Sequence, residues 1–295
     1  MVDPLAEVVG LLQPGAPFAK VSSGAGLWRL RRTEVGRFFY GVVLEGACRL
    51  TVDDQPPMLL LAGDFILIPS LFQFTMTSLE PPPAEAPDTI PIEVGPGRYW
   101  LGAEDGPPDV RSVVGYCTFG SPDANLLVSL LPRSVHVRGE PRLATLVQLV
   151  SEEARAQRPA REVVLSRLLE VMLIEALRSS AGTAASPGLL RGLADDRLAA
   201  AIRAIHQDPA RAWTVPDLAA AAALSRSAFF ERFRRAVGVP PMEYVLAWRM
   251  ALAKDLLRRG DDSVAEVAEQ VGYSSASTFS VAFARHVGQP PTRWR

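Results

Sequence analysis

Phe229, Phe233 and Val237 recur on one stripe of a helix, which leaves Ser227, Phe230, Glu231 and Arg234 on the opposite side. A carboxylate such as Glu231 can accept a hydrogen bond from a cytosine amino group, and a ring such as Phe230 can pack on a thymine methyl. Arg226, Arg232, Arg234 and Arg235 are the cations that neutralise phosphates, giving affinity and salt dependence without reading sequence. The same residues also fit an ordinary solvated face, with Glu231 paired to a neighbouring arginine.

A duplication decides which reading to follow. Val215, Leu218, Ala219, Ala222 and Leu224 return 49 residues later as Val264, Val267, Ala268, Val271 and Tyr273, in the rhythm of a buried helix face. The offset then becomes 50: Phe229, Phe233, Val237, Gly238, Pro240 and Pro241 return as Phe279, Phe283, Val287, Gly288, Pro290 and Pro291. Each copy therefore predicts a short helix, a turn and a second amphipathic helix stopped by Gly and Pro-Pro. Two such units suit paired helix-turn-helix elements, each presenting its second helix to a DNA major groove. A helical solenoid is the other reading, but it needs about three or more copies to share a core. In the second copy Ser277, Thr278, Val281, Ala284 and Arg285 point outward. Met242 to Arg259 predicts a connecting helix roughly 27 Å long at about 1.5 Å per residue. One DNA turn is about 34 Å, so such a rod could set both second helices into successive grooves. Tyr244, Leu246, Trp248, Leu252 and Leu256 of that rod read as core.

Charge agrees with this only when divided. Residues 1–189 hold 16 Lys and Arg against 21 Asp and Glu, whereas residues 190–295 hold 15 against 11. Between Ser225 and Gly260 the count is eight basic to three acidic, a local positive field hidden by the whole-chain charge of -1. Cys48 and Cys117 without a CxxC pair, no export signal and no apolar run of about eighteen residues predict a soluble cytoplasmic protein without a membrane span, and the DNA-binding reading would make it nucleoid-associated.

The fold class expected is α+β. Runs at Gly41 to Leu44, Cys48 to Val52, Met58 to Leu61, Phe65 to Ile68, Phe72 to Thr77 and Val110 to Phe119 predict an antiparallel β-barrel ending near Val137. Glu80 to Pro108 reads as a long loop with a short strand near Tyr99 to Leu101. Two helices are expected over Pro141 to Ser179, then an all-α C-terminal domain with two helix-turn-helix motifs starting near Asp195. The domains expected are 1–180, a linker at 181–191, and 192–295. A catalytic metal needs about three protein ligands, yet the only histidines are His136, His206 and His286. No catalytic set, metal site or cofactor is expected. Tyr40, Phe72, Phe74, Tyr99 and Trp100 could line a small-molecule pocket inside the barrel, or could be core. Cys48 and Cys117 could meet across strands and report oxidation, or lie inert.

Trp213-Thr-Val-Pro-Asp-Leu-Ala, Ser225-Arg-Ser-Ala-Phe-Phe-Glu-Arg-Phe-Arg-Arg, Gly238-Val-Pro-Pro, Trp248-Arg-Met and Val271-Gly-Tyr-Ser-Ser with Phe279-Ser-Val-Ala-Phe resemble the DNA-binding domain of the AraC/XylS family of bacterial transcription regulators. Leu44-Glu-Gly-Ala-Cys-Arg-Leu, Ala62-Gly-Asp-Phe-Ile-Leu-Ile-Pro and Leu130-Leu-Pro-Arg-Ser-Val-His-Val are similar to the cupin-like sensory domain of one branch of that family. The resemblance implies base contacts at Ser227, Phe230 and Glu231, a small effector in the barrel, a homodimer and RNA polymerase as a partner. It also implies that Val281 stands where many relatives carry arginine, and valine cannot make that residue's bidentate contact to guanine. The second element is then expected to hold the DNA backbone through Ser275, Ser277 and Arg285 and to read bases weakly. The alternatives are a redox or metal sensor with the same DNA-binding output and a cupin-class enzyme.

Overall fold

A computed structural model describes residues 3–33, 37–53, 55–69, 73–103, 106–119, 128, 131, 134–156, 158–180 and 188–294. Its contacts divide the chain into two compact units, one from the described residues of Met1–Leu12, Ser121–Pro132 and Ala181–Arg295, the other from those of Gln13–Gly120 and Arg133–Ser180. Phe72 and most of the 181–191 linker lie outside the described residues.

The second unit is a curled sheet of ten strands: β1 (Pro14–Ala25), β2 (Arg29–Thr33), β3 (Arg37–Val52), β4 (Met58–Leu61), β5 (Phe65–Ile68), β6 (Gln73–Thr77), β7 (Ile92–Gly95), β8 (Arg98–Gly102), β9 (Val110–Phe119) and β10 (Val135–Val137). The main path runs β10-β5-β3-β9-β1-β8-β7, with β2, β4 and β6 joined through β3 and β6, and only β1 with β8 pairs in parallel. Phe39, Ile66, Ile68, Phe74, Met76, Leu101 and Val114 share one buried cluster on the inner face. Helices α2 (Pro141–Arg155) and α3 (Arg161–Ser180) pack on each other, and both contact β1 on the sheet.

Strands β4, β5 and β9 fall where the apolar runs predict them. The two runs expected on either side of Glu45-Gly46 are instead one strand, β3. Glu45 and Gly46 stay paired to Arg111 and Val110 through a register shift after Val43, so the break is a bulge rather than a turn. Gly46 has φ +73, and a Cβ there would overlap the Asp109 carbonyl. Bent at this point, one strand pairs with β5 and β9 in its first half and with β4 and β6 in its second. The expected long loop also holds β7 beside β8. Both are short strands at one end of the sheet path: β7 has the single partner β8, and the five residues of β8 give little alternation to read.

The other unit is helical: α1 (Pro4–Leu12), α4 (Leu189–Leu193), α5 (Asp196–Gln207), α6 (Val215–Ala221), α7 (Arg226–Val237), α8 (Pro241–Arg259), α9 (Val264–Gln270), α10 (Ala276–Val287) and a final 3-10 turn, Pro291–Arg293. Helix α1 lays Leu5, Val8, Val9 and Leu12, each nearly fully buried, against α5 and α8. No described helix is long and apolar enough to cross a membrane.

Candidate nucleic-acid interface

Both copies of the repeat are built by the same local chemistry. Helix α6 opens with a capping box, Thr214 accepting from Asp217 N while the Asp217 carboxylate accepts from Thr214 N. Helix α9 opens with the matching box of Ser263 and Glu266. These bonds hold both carboxyls below the usual range: the Thr214 side chain leads for Asp217, the Ser263 side chain for Glu266. Ser225 and Ser275 then cap α7 and α10 by accepting from Ala228 N and Thr278 N, and Gly238 and Gly288 end them in the left-handed conformation.

The turns close alike, with Leu224 N donating to Ala219 O at 2.9 Å and Tyr273 N to Ala268 O at 2.8 Å. Each has one residue at positive φ, Ala223 at +50 and Gly272 at +80. The residue that changes the offset from 49 to 50 comes after this shared turn, between Tyr273 and the cap Ser275.

Helices α7 and α10 each bury two phenylalanines completely, Phe229 with Phe233 and Phe279 with Phe283, at ring separations of 5.5 and 5.4 Å. Their outer faces differ. On α7, Arg226, Ser227, Glu231, Arg234 and Arg235 are exposed and Phe230 is half-buried. On α10, Ser277, Thr278, Val281 and Arg285 are exposed, and Val281 stands 72% open to solvent. Ser275 Oγ lies 3.0 Å from Ser277 Oγ and 2.9 Å from Thr278 Oγ1, so a hydroxyl cluster sits at that helix's start.

Arg232 stands apart from the other arginines of α7. Its Nε binds Asp195 Oδ2 at 2.5 Å, and Asp195 also caps α5 by accepting from Arg197 N and Leu198 N. Burial alone would raise the Asp195 carboxyl, but the Arg232 hydrogen bond and the backbone bonds outweigh it and hold it below the usual range. This pair ties α7 to α5.

Helix α8 joins the copies with 19 residues, about 28 Å at about 1.5 Å per residue. Tyr244 meets Phe233 edge-on at 5.7 Å, while Met250, Ala253 and Leu257 belong to the second copy's core. Leu246 is 37% exposed, because the buried stripe through Tyr244, Ala247, Trp248 and Ala251 lies on the other side of the helix. Arg249 reaches back to donate from Nε to Pro209 O at 2.8 Å and from Nη2 to Arg211 O at 2.7 Å, clamping the loop before α6.

The pattern of local motifs does not reveal the link between His206 and the N-terminal helix. His206 Nδ1 lies 2.6 Å from Glu7 Oε2 and Nε2 lies 2.7 Å from Tyr244 Oη, with the ring stacked 4.0 Å from Trp248. Burial pushes this imidazole below its ordinary value of 6.5, against the opposing pull of Glu7. The signal that could have shown it is Leu5, Val8, Val9 and Leu12 at helical spacing near the start of the chain.

In the sheet unit, a cavity is lined by Trp28, Phe39, Phe74, Met76, Leu101 and Tyr116 among others. Of the aromatic residues expected at a pocket, Phe74 is in its wall. Tyr40 is buried on the opposite face from Phe39, as strand alternation requires, with its ring over Gly115. Tyr99 and Trp100 are half-buried on β8, with Trp100 Nε1 donating to Ala103 O at 2.6 Å. Trp28 carries no sequence signal of its own, because the turn after β1 is what brings it in. Cys48 faces the cavity, while Cys117 lies one residue out of step with the cavity-facing Val114 and Tyr116. Both thiols are free and buried, and burial pushes both up, Cys48 to about 12. His136 Nε2 is 2.9 Å from Asp64 Oδ2, a buried carboxylate that also accepts from Leu61 N. Among the described residues no group of His, Cys, Asp and Glu is placed to hold a metal ion.

Comparison with known proteins matches residues 3–182 to a cupin family and residues 218–295 to a helix-turn-helix domain family. A protein of Streptomyces lividans described as an AraC-like transcription regulator is 36% identical over 100% of this chain and 98% of its own length. One of Streptomyces antibioticus with the same description is also 36% identical, over 100% and 98%. Among solved structures, ToxT from Vibrio cholerae aligns over 95% of this chain and 97% of its own at 14% identity and a TM-score of 0.36, too loosely to transfer geometry.

Proposed function

The chain belongs to the AraC family of transcription regulators, and we propose that its two recognition helices enter successive major grooves on one face of a duplex, with the first reading most of the sequence. The observation that carries this division is the contrast of the outer faces: Arg226, Ser227, Phe230, Glu231, Arg234 and Arg235 on α7 against Ser275, Ser277, Thr278, Val281 and Arg285 at α10. Glu231 accepts from a cytosine amino group, Phe230 packs on a thymine methyl, and Arg226, Arg234 and Arg235 anchor phosphates. The hydroxyls of Ser275 and Ser277 and the Arg285 cation hold the backbone at the second groove.

The sheet domain is the sensor, and a small effector in its cavity sets the activity of the helical unit. The regulator works in the cytoplasm, on the nucleoid, as a homodimer that contacts RNA polymerase. It is not an enzyme. The description of its relatives as regulators supports this, as does the pairing of Asp64 with His136 and of His206 with Glu7 and Tyr244, which leaves those histidines occupied in the fold. Selection of bound duplexes from a random pool by the full chain tests the reading. It should return a two-part site whose more constrained half lies under α7, and a pool that stays random would overturn it.

A further inference from the structure

Trp28 Nε1 is buried and makes no hydrogen bond among the described residues, although the rest of the residue is fully engaged. Its N–H donates to Ser78 Oγ at 3.1 Å and its carbonyl accepts from Ser78 N at 3.1 Å, so the backbone is held from both sides. The indole edge lies against Gly24, where a Cβ would come within 2.7 Å of Nε1, so only glycine admits the ring. The same ring lines the cavity of the sheet unit, where Leu30, Phe39, Phe74, Met76 and Leu101 form apolar walls and Lys20, Ser22, Ser23 and Ser112 add polar groups. A buried donor without an acceptor is costly, and an occupant that supplies the acceptor removes that cost.

We propose that this cavity takes a small, uncharged, largely apolar molecule bearing one acceptor oxygen, such as a ketone, aldehyde or ester, to which Trp28 Nε1 donates. The proposal rests on the reading of the sheet domain as the sensor and names the ligand class for it. Among the described residues the only charged side chain in the lining is Lys20, whose ammonium is already placed over the Tyr99 ring at 4.7 Å. A carboxylate would have to give up its water in a chamber whose other polar side chains, Ser22, Ser23, Ser112 and Tyr116, are uncharged. The hydroxyl of Ser112 in the wall is 3.5 Å from Ser22 O. Binding is non-covalent, because the Cys48 thiol in the wall stays protonated at neutral pH. The free volume is about 20 Å³, room for about one water. A larger guest therefore displaces side chains, and unbranched Met76 is the wall residue best able to move.

The test uses the full chain with three probes of similar size: acetophenone, ethylbenzene and benzoate. Acetophenone should raise the thermal midpoint and move the indole N–H resonance of Trp28, with ethylbenzene binding roughly five- to tenfold more weakly and benzoate weaker still. Trp28→Phe should weaken acetophenone by a similar factor and leave ethylbenzene unchanged. Equal binding of ketone and hydrocarbon, or tighter binding of benzoate, overturns the ligand class but leaves the cavity as the sensor site. Failure of all three probes to bind overturns both. Should Trp28→Phe not fold, the wild-type resonance decides alone, since an unmoved Trp28 signal at saturating acetophenone overturns the donor's role.

Discussion

The two helix-turn-helix copies share a skeleton and differ on the surface. Position for position, Phe229 and Phe233 match Phe279 and Phe283, Ser225 matches Ser275 and Gly238 matches Gly288, and each pair fills the same structural role. On the outer face Arg226 is matched by Ala276, Glu231 by Val281 and Arg234 by Ala284, and only Arg235 keeps its charge, as Arg285. Packing constrains the inner stripe equally in both copies, whereas the outer stripe answers to whatever the helix touches. Duplication followed by divergence of one face therefore separates residues that make the fold from residues that meet a partner.

The largest effects should fall on the shared skeleton. Phe233→Ala and Phe283→Ala should each cost about 3 to 5 kcal/mol in urea unfolding, because each empties a fully buried ring site. A cost in one copy several-fold larger than in the other would break the equivalence of their cores. The turns should part company next. Gly272→Ala places a Cβ against the Ala210 carbonyl and 2.8 Å from Arg249 Nη2, at a positive φ, and should cost about 2 to 4 kcal/mol. Ala223 is exposed at its own positive φ, so Ala223→Gly should stay within about 1 kcal/mol of wild type.

Exchanging single base pairs under α7 should cost about 1 to 3 kcal/mol each, with smaller losses under α10. Larger losses in the half bound by α10 would reverse the division of labour. Arg234→Ala should weaken binding about evenly across sequences and lower the salt slope by about one, measured by titration at several salt concentrations. The smallest effect is on pH. The folded His206 is held below its ordinary 6.5, so above that value it is neutral in both states and adds no pH dependence. As pH falls through 6.5 the unfolded chain takes up the proton first, and stability is lost. The thermal midpoint should therefore drop between about pH 7.5 and about pH 5.5, and His206→Gln should flatten part of that drop.

Much of the helical unit was legible because its signals are local. Ser225 sits three residues before the amide it caps, and Phe229 and Phe233 are one turn apart, so a short window contains the cause of each helix. Strands β4, β5 and β9 were legible for the same reason. Glu45-Gly46 was not, since whether a Glu-Gly pair turns the chain or bulges it depends on Val110 and Arg111 across the sheet. The cavity was legible only in Phe74, because the choice between Phe39 and Tyr40 as the inward residue rests on a register set by β9.

The amino-acid sequence by itself determined the duplicated motif, its caps and stops, the basic outer face of α7 and the plain one of α10, all from interactions spanning a few residues. Tertiary structure alone decided that Glu7 meets His206 199 positions away, that Arg232 serves Asp195, and that Trp28 lines a cavity while its Nε1 is buried without a partner among the described residues. The reason is physical: periodicity and capping are written along the chain, while burial and pairing between distant segments exist only once the backbone has closed on itself.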